Sequence, residues 1–462
     1  MLIRVARYEV RDMTPRFHRP AQNEKSRSVH PRRSRVPFVL AFAVMHGYVP
    51  GAQAQDSGAV NSGSSPVPAS PTAATDPSPG IVIAGIKLSA QIQGGVSLNP
   101  YRPADGLNFG QLSTDHANQF QLNQVLLTAR KSLDPSLTDY DWGFKLQFLY
   151  GSDSRYSHFL GQFPYATDAR NQFAITEANV QAHLPWLTNG GMDVKLGLYQ
   201  SPFGYEAFDP ATNMFYSHSY ISNFGLPSGL AGVLITTHVN SVLDIYLGAD
   251  PGVSTTYGPY TGDNNSSYAG VAGIGLNFLD GNLTIQALTH IGPENPGRST
   301  PLANRYFRYL NDVVVTWKIN EKLTLGLDMN YIRDDNPYVG RPIGYGAAQY
   351  ASYSLTETLT LNARAEVWRD NNNFYVSAFP TNLGAVKSLG GFPAPVISAA
   401  SATTYGELTV GVTYQPKRPA GVTTLMIRPE IRWDQSLNGT KPFNAGRSSG
   451  ALTVAADVVL GF

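Results

Sequence analysis

From Ile83 to the C-terminus the chain alternates apolar and polar side chains with a period of two, in sixteen separate runs. In the first, Ile86, Leu88, Ala90, Ile92, Val96 and Leu98 share one face, while Lys87, Ser89, Gln91, Gln93 and Ser97 share the other. The pattern returns in Trp142-Phe144-Leu146-Phe148-Tyr150, in Leu323-Leu325-Leu327-Met329-Tyr331, and in Leu452-Val454-Ala456-Val458-Leu460-Phe462. Such alternation predicts strands with one face in an apolar medium and the other in water. Each run is close to the roughly 9–11 residues that a tilted strand needs to cross a bilayer. The runs begin near residues 85, 121, 141, 173, 192, 230, 242, 268, 283, 307, 323, 344, 359, 405, 424 and 450.

The connections between runs alternate in length. Short ones are Pro185–Gly191, Asn240-Ser241, Asp280–Asn282, Asn320–Lys322, Ser354–Thr358 and Gln415–Thr423; long ones are Asn99–Gln119, Ser152–Asn171, Ser201–Gly229, Asp250–Ser267, Gly292–Tyr306 and Arg369–Thr404. Short turns on one side and long loops on the other predict an all-β fold: a transmembrane antiparallel β-barrel of about sixteen strands, with both termini in the periplasm. Lipid offers no partner to a backbone N–H or C=O, so such a sheet must close on itself. Counts of 14 or 18 stay open because the runs near 121 and 344 are weak. Trp142, Tyr150, Trp317, Tyr331, Tyr414 and Trp433 near run ends fit interfacial girdles. Pro429 inside the run Leu425–Trp433 predicts a local bulge.

Composition agrees. Only 15% of the 462 residues are charged and 42% are hydrophobic, against roughly 25% charged in soluble domains. No apolar stretch reaches the roughly 20 residues of a spanning helix. The absence of Cys excludes disulfides, thiolate metal sites and cysteine nucleophiles. There is no His-Glu-x-x-His and no Walker A loop. Gly273-Ile-Gly275 lies on a strand run with no helix after it, and His218-Ser219, an adjacent base and nucleophile, would point opposite ways on an extended segment. No catalytic residue, metal site or cofactor is expected.

The net charge of +1 conceals a division: residues 1–54 carry ten Lys/Arg and three Asp/Glu, leaving 24 basic against 30 acidic residues in the remainder. Arg32, Arg33 and Arg35 precede the apolar stretch Val36–Met45, and Ala52-Gln53-Ala54 supplies a small-x-small cleavage site. Residues 1–54 therefore read as a signal segment for the general secretory route, with Met13 an alternative start. A basic nucleic-acid arm, the competing reading, would need neither the apolar run nor the cleavage site. Residues 55–82, rich in Ser, Pro and Ala, read as a disordered, low-complexity periplasmic linker, and residues 83–462 as the barrel.

Two stretches carry a family resemblance. Gly197-Leu-Tyr-Gln-Ser-Pro-Phe-Gly-Tyr-Glu206, followed by Asn213, Tyr216-Ser-His-Ser-Tyr220, Pro227 and Gly232, resembles the signature region of the OmpL-like putative β-barrel porins. Asn362-Ala-Arg-Ala-Glu-Val-Trp-Arg-Asp370 and Ile427-Arg-Pro-Glu-Ile-Arg-Trp-Asp434 are similar to that family's arginine–glutamate strands. The terminal Phe462 is similar to the residue by which the barrel-assembly machinery reads outer-membrane proteins. The resemblance covers roughly residues 83–462 and implies a porin-type channel without naming a solute.

With the apolar faces toward lipid, the opposite faces place Lys87, Lys145, Lys195, Lys318, Arg364, Arg428 and Arg432 inside the barrel. Glu177, Asp193, Asp244, Asp312, Asp328, Glu366, Glu407, Glu430, Asp434 and Asp457 join them. A dry interior would make so many charges costly, so a wet lumen is expected. Seven basic against ten acidic groups supports slight cation preference at most. Arg364 with Glu366, and Arg428, Glu430, Arg432 and Asp434, share strand faces; they either set a transverse field across the pore or pair to brace the wall. In general porins the third external loop folds inward, so the resemblance makes Ser201–Gly229 the constriction candidate. Its Phe203, Tyr205, Phe208, Phe215, Tyr216, Tyr220 and Phe224 would pack on the wall, with Glu206 and Asp209 facing the basic cluster. The alternatives are an ordered external loop here, and a cap on the mouth made by Arg369–Thr404.

The expected protein is an outer-membrane porin of a Gram-negative bacterium: a passive, water-filled channel for small hydrophilic solutes or ions, not an enzyme. Its partners would be those solutes, outer-membrane lipid and lipopolysaccharide, the assembly machinery through Phe462, and further copies of itself in a homo-oligomer; nucleic acid is not among them. A non-conducting structural or adhesive barrel is the second reading, and an outer-membrane hydrolase a distant third.

Overall fold

The computed structural model describes residues 80–134, 139–163, 170–257 and 262–462. The expected signal segment and nearly all of the expected linker lie outside these residues. The sixteen long strands are β1 Ile86–Leu98, β2 Gln119–Lys131, β3 Asp141–Gly151, β4 Gln172–Leu184, β5 Met192–Gln200, β6 Gly229–His238, β7 Leu243–Asp250 and β8 Ala269–Phe278, then β9 Leu283–Pro293, β10 Phe307–Lys318, β11 Leu323–Asp334, β12 Ile343–Ser354, β13 Leu359–Asp370, β14 Thr403–Tyr414, β15 Thr424–Ser436 and β16 Gly450–Gly461. All begin within two residues of the expected positions, including the two weak runs. Each pairs antiparallel with its sequence neighbours. β16 pairs with β1, from Val454↔Leu98 to Gly461↔Gln91. Ala90 and Phe462 exchange both backbone bonds at 3.2 and 2.8 Å, which completes the seam. The fold is thus a closed sixteen-stranded barrel with no free edge in the membrane. Ahead of β1, Ile81–Ile83 fold back on Ile86–Leu88, so pairing starts two residues before the expected boundary at 83.

Faces follow the period. The aromatic side chains Trp142, Tyr150, Trp317, Tyr331, Tyr414 and Trp433 are all exposed, as are Leu127, Val180, Leu247, Val410, Ile431 and Val458 on the same outward face. The ionisable residues assigned to the inside occupy the opposite face on every strand.

Two expectations need correction. Pro429 makes no bulge: it stays in register opposite Ala456 on β16, and toward β14 the register is the same at Gly411↔Glu430 and Tyr414↔Ile427, with unpaired positions between them. The missing N–H interrupts the ladder without adding a residue. The bulges lie instead where β1 passes from Gln93 to Gly94, with Asn123 of β2 as the extra residue, and where β3 passes from Gln147 to Phe148, with Thr176 of β4 extra. Loop-length alternation is also less strict than expected, since the loop at 335–342 is as short as a turn.

The long loops fold onto one another. Arg155 makes a two-pronged bond to Asp115, at 2.9 and 3.1 Å, and Tyr156 Oη donates to the same carboxylate at 3.0 Å. This joins the loops that follow β1 and β3. Burial pushes the Asp115 carboxyl up, but Arg155 and His116 outweigh it and hold the group at about 2. The loop after β13 is anchored by the Asp370 carboxylate, which accepts from the amides of Phe374, Tyr375 and Val376. It reaches the far wall, where Gln172 of β4 donates to the Asn382 carbonyl at 3.1 Å.

Two predictions follow from this packing. Val410→Arg puts a guanidinium on the outward face at mid-strand and should cost about 2–4 kcal/mol, read by denaturant unfolding from lipid vesicles; an unchanged midpoint would mean that this face does not meet hydrocarbon. Because the Asp115 carboxyl is held below its ordinary 3.8, its contribution is full above that value and is lost as pH falls through about 2. Hydrogen-exchange protection of residues 107–117 should therefore persist at about pH 4 and fall at about pH 2, and Asp115→Asn should lower it at neutral pH.

Candidate functional site

The loop between β5 and β6, residues 201–228, carries backbone amides away from strand pairing, and a buried N–H needs an acceptor. Inward-facing carboxylates supply them. Asp312 on β10 accepts from Gly204 N at 2.8 Å, and Asp328 on β11 from Tyr205 N at 2.9 Å. Glu366 on β13 accepts from Tyr220 N at 2.6 Å and Ile221 N at 2.9 Å. Glu430 on β15 accepts from Tyr216 N at 2.8 Å and Ser217 N at 3.1 Å. A hydrogen bond of this kind contributes about 0.5–1.5 kcal/mol net, and a buried amide left without one would cost about 1–3 kcal/mol.

Arginines from the same strands take the loop's acceptors. Arg364 Nη1 donates to Glu206 Oε1 at 2.6 Å and to the Ser217 carbonyl at 2.9 Å, while its Nε donates to Glu407 on β14 at 3.0 Å. Arg428 Nη1 donates to the Pro210 and Asn213 carbonyls, both at 2.7 Å, and its Nε to Asp457 on β16 at 3.0 Å. Arg432 donates to the His218 carbonyl at 2.5 Å and to Asp434, whose Oδ1 also accepts from Tyr220 Oη at 2.8 Å. The three arginine residues are 0–1% exposed. Burial would raise the Glu206 carboxyl, but Arg364, His218 and the Ser219 amide outweigh it and hold it at about 2.

Aromatic rings complete the attachment. Tyr205 stacks on Tyr350 of β12 at 4.2 Å between centroids, and Tyr220 on Tyr405 of β14 at 4.7 Å. Room for the rings comes from bare backbone. A Cβ on Gly326 would sit 2.4 Å from the Tyr205 ring, and one on Gly95 would sit 2.8 Å from the Tyr216 ring. Tyr216 Oη donates to Asn123 Oδ1 at 2.7 Å, and Asn123 donates to Asp153 at 2.9 Å. The loop thus leaves the wall at β5 and is bonded to β10–β15 across the ring as well as to β2.

Of the residues singled out from sequence, Glu206, Arg364, Glu366, Arg428, Glu430, Arg432 and Asp434 come together in this network. Asp209 adjoins it, accepting from Gln91 of β1 at 2.8 Å. Lys87 and Lys145 do not: they stand at the other end of β1 and β3, where Lys145 pairs with Glu177 at 3.1 Å. The expectation that interior charges require bulk water fails for the cluster. Glu366, Glu430, Asp434 and the three arginine residues are buried, and mutual pairing with loop dipoles replaces water. Sequence reading missed Asn123, since a bulge residue breaks the alternation on which faces were assigned. It also missed the tyrosine-accepting Gly95 and Gly326, whose signal was a glycine at an inward position.

No curated protein matches the chain in sequence. Similar solved structures include the outer-membrane channel DcaP of Acinetobacter baumannii, with 13% identity, TM-score 0.49, and coverage of 83% of this chain and 99% of that one. Pseudomonas putida OprB shows 14% identity, TM-score 0.46, and coverage of 82% and 94%. Salmonella typhi OmpF, in a complex with daunomycin, shows 10% identity, TM-score 0.49, and coverage of 82% and 97%. The model of the OmpL-like putative beta-barrel porin-2 family matches residues 85–462, the whole barrel, and the chain belongs to that family.

Proposed function

We propose that this barrel is a passive channel for small hydrophilic solutes or ions, narrowed by the loop at residues 201–228. The observation that carries the reading is the comb of carboxylate–amide and arginine–carbonyl bonds between that loop and the inner faces of β10, β11, β13 and β15. A loop held this way across a lumen sets its cross-section, and its fixed charges set the local field. On this reading Glu206, Asp209, Arg364, Glu366, Arg428, Glu430, Arg432 and Asp434 form the constriction and its bracing, and Lys87 and Lys145 line the wider part. The protein performs no chemical step and needs no cofactor. It is exported by the general secretory route, keeps both termini in the periplasm, and sits among outer-membrane lipid and lipopolysaccharide. Phe462 addresses it to the barrel-assembly machinery, and association into a homo-oligomer is compatible with the outward faces.

A second reading, a non-conducting structural or adhesive barrel, has one observation in its favour. Leu107, Phe109, Phe203, Tyr220 and Val376 from three loops join Tyr246, Leu310, Trp368 and Tyr405 of the wall in one buried apolar cluster, which occupies part of the interior.

Single-channel recording in a planar bilayer separates the two. Purified, refolded protein should give stable open steps; a folded, heat-modifiable barrel that never conducts would leave only the second reading. Glu366→Ala with Glu430→Ala removes four of the loop's amide anchors and should enlarge the steps; equal steps would detach the loop from the constriction. Arg364→Ala leaves Glu206 and Glu407 without their shared guanidinium and should lower stability by about 3–5 kcal/mol, read by denaturant unfolding, together with altered ion selectivity.

A further inference from the structure

Charge on the long-loop side is divided unevenly around the ring. The connections at 99–118, 152–171, 201–228 and 251–268 together carry three Lys/Arg and seven Asp/Glu. Those between β9 and β16, at 294–306, 335–342, 371–402 and 437–449, reverse the balance: Arg298, Arg305, Arg341, Lys387, Lys441 and Arg447 stand against Glu294 and Asp335. Glu294 is buried beside His290, and its carboxylate accepts from Val253 N at 3.0 Å. This arc of the rim is therefore strongly basic.

The same arc bears arginine on its outward face. Arg333 follows Leu327, Met329 and Tyr331 along that face of β11, and Arg369 follows Ala365 and Val367 on β13. Arg333 stands directly opposite Tyr309 of β10 and Ile343 of β12; Arg369 stands opposite Tyr345 of β12, which is itself opposite Tyr331. The two arginine residues thus flank the exposed Tyr345 from strands about 10 Å apart, two interstrand spacings. Arg341, in the connection from β11 to β12, is 75% exposed. Arg333 lies 4.2 Å from the Tyr309 ring centroid, and Arg369 donates to the neutral Asn371 Oδ1 and Thr404 Oγ1 at 2.8 and 3.0 Å. The acids of these strand ends offset little of this charge. Asp334 and Asp370 face inward, bonded to Arg308 and to amides of the loop after β13. Asp335 is shared between Arg333 and Arg341, at 3.6 and 3.4 Å. Three guanidinium groups therefore stand against one outward carboxylate.

We infer that the outward rim of β10–β13 is a docking surface for the phosphate groups of lipopolysaccharide, held by Arg333, Arg341 and Arg369. The inference rests on the reading that puts the barrel in the outer membrane with its long loops outside, and it is independent of conduction. Tyrosine rings on the lipid-facing surface mark the headgroup level, and the arginine residues sit at and just beyond that level. The anions within their reach there are headgroup phosphates, which a guanidinium fork binds through two parallel N–H···O bonds. Lipopolysaccharide is the occupant because it is the lipid of the outward leaflet and carries phosphate at that depth. The basic connections of the same arc extend the attraction beyond the membrane surface, whereas the acidic connections between β1 and β8 would oppose it, so the lipid is held on one side of the barrel.

The test is equilibrium binding of bisphosphorylated lipid A to the full mature protein, refolded in zwitterionic detergent with EDTA so that no divalent cation bridges the two. Dephosphorylated lipid A and phosphatidylglycerol are the comparison lipids. Lipid A should bind the unaltered protein more tightly than either. The variant Arg333→Gln/Arg341→Gln/Arg369→Gln should weaken it by about fivefold per charge removed, roughly 100-fold in all. Folding is verified by heat-modifiable migration, and Arg341→Gln alone, with about a fivefold loss, replaces the triple variant if that does not fold. Equal binding by the unaltered and altered proteins would overturn these residues as the site. Equal binding of dephosphorylated lipid A would overturn phosphate as the recognised group, and equal binding of phosphatidylglycerol would overturn lipopolysaccharide as the occupant. The orientation is read separately: the chain has no Cys, so Asn304→Cys in an exposed stretch gives a unique thiol for a membrane-impermeant maleimide on intact cells. Labelling there supports the outward placement of the arc; labelling only after lysis would overturn it, and the lipopolysaccharide assignment with it, whatever the binding result.

Discussion

A backbone N–H inside this molecule has nowhere to go but another protein atom, and most of the architecture follows from that constraint. In the wall, the strand ladder satisfies it, and the seam between β16 and β1 removes the two edges that an open sheet would leave in lipid. In the interior the constraint returns for a different reason. A long loop enters the barrel without a strand beside it, so its amides find carboxylates instead. The acidic residues of β10, β11, β13 and β15 act there as the neighbouring strand the loop lacks.

This explains how so many ionisable groups tolerate burial. A lone carboxylate at 3% exposure would be strongly disfavoured, but Glu366 and Glu430 each receive two amides from consecutive loop residues. Arg364 completes the balance by bridging a loop carboxylate, a wall carboxylate and a loop carbonyl. The inward carboxylates of β10, β11, β13 and β15 and the three arginine residues are therefore consumed in fastening the loop.

The strands were legible from residue type alone because period two is imposed by lipid on one side and polar contacts on the other. Even the weak runs gave the right strands, since a closed ring leaves no room for a missing member. The inward face of Glu366, Arg364 and Arg432 was equally legible. What they touch was not, because the partners of Glu430 lie 213 and 214 positions away, and no local pattern encodes such a pairing. The bulge at Asn123 and the intact register at Pro429 show the limit of parity: an inserted residue shifts it silently, whereas a lost N–H need not shift it at all. The interior was expected to be wet throughout, because composition reports how many charges there are and not which of them are neutralised by a loop.

The fastening of the loop also has a consequence for assembly order. The loop is made between β5 and β6, yet its acceptors sit on strands made much later, up to β15. Closing contacts across more than 200 residues carries a large chain-entropy cost until the intervening strands are in place. During synthesis and insertion the loop must therefore wait, with its amides on water, while the sheet grows around it. Docking of the loop is then a late event that reports a correctly closed ring, and a barrel arrested before β13 would carry the sequence of its interior without the means to hold it.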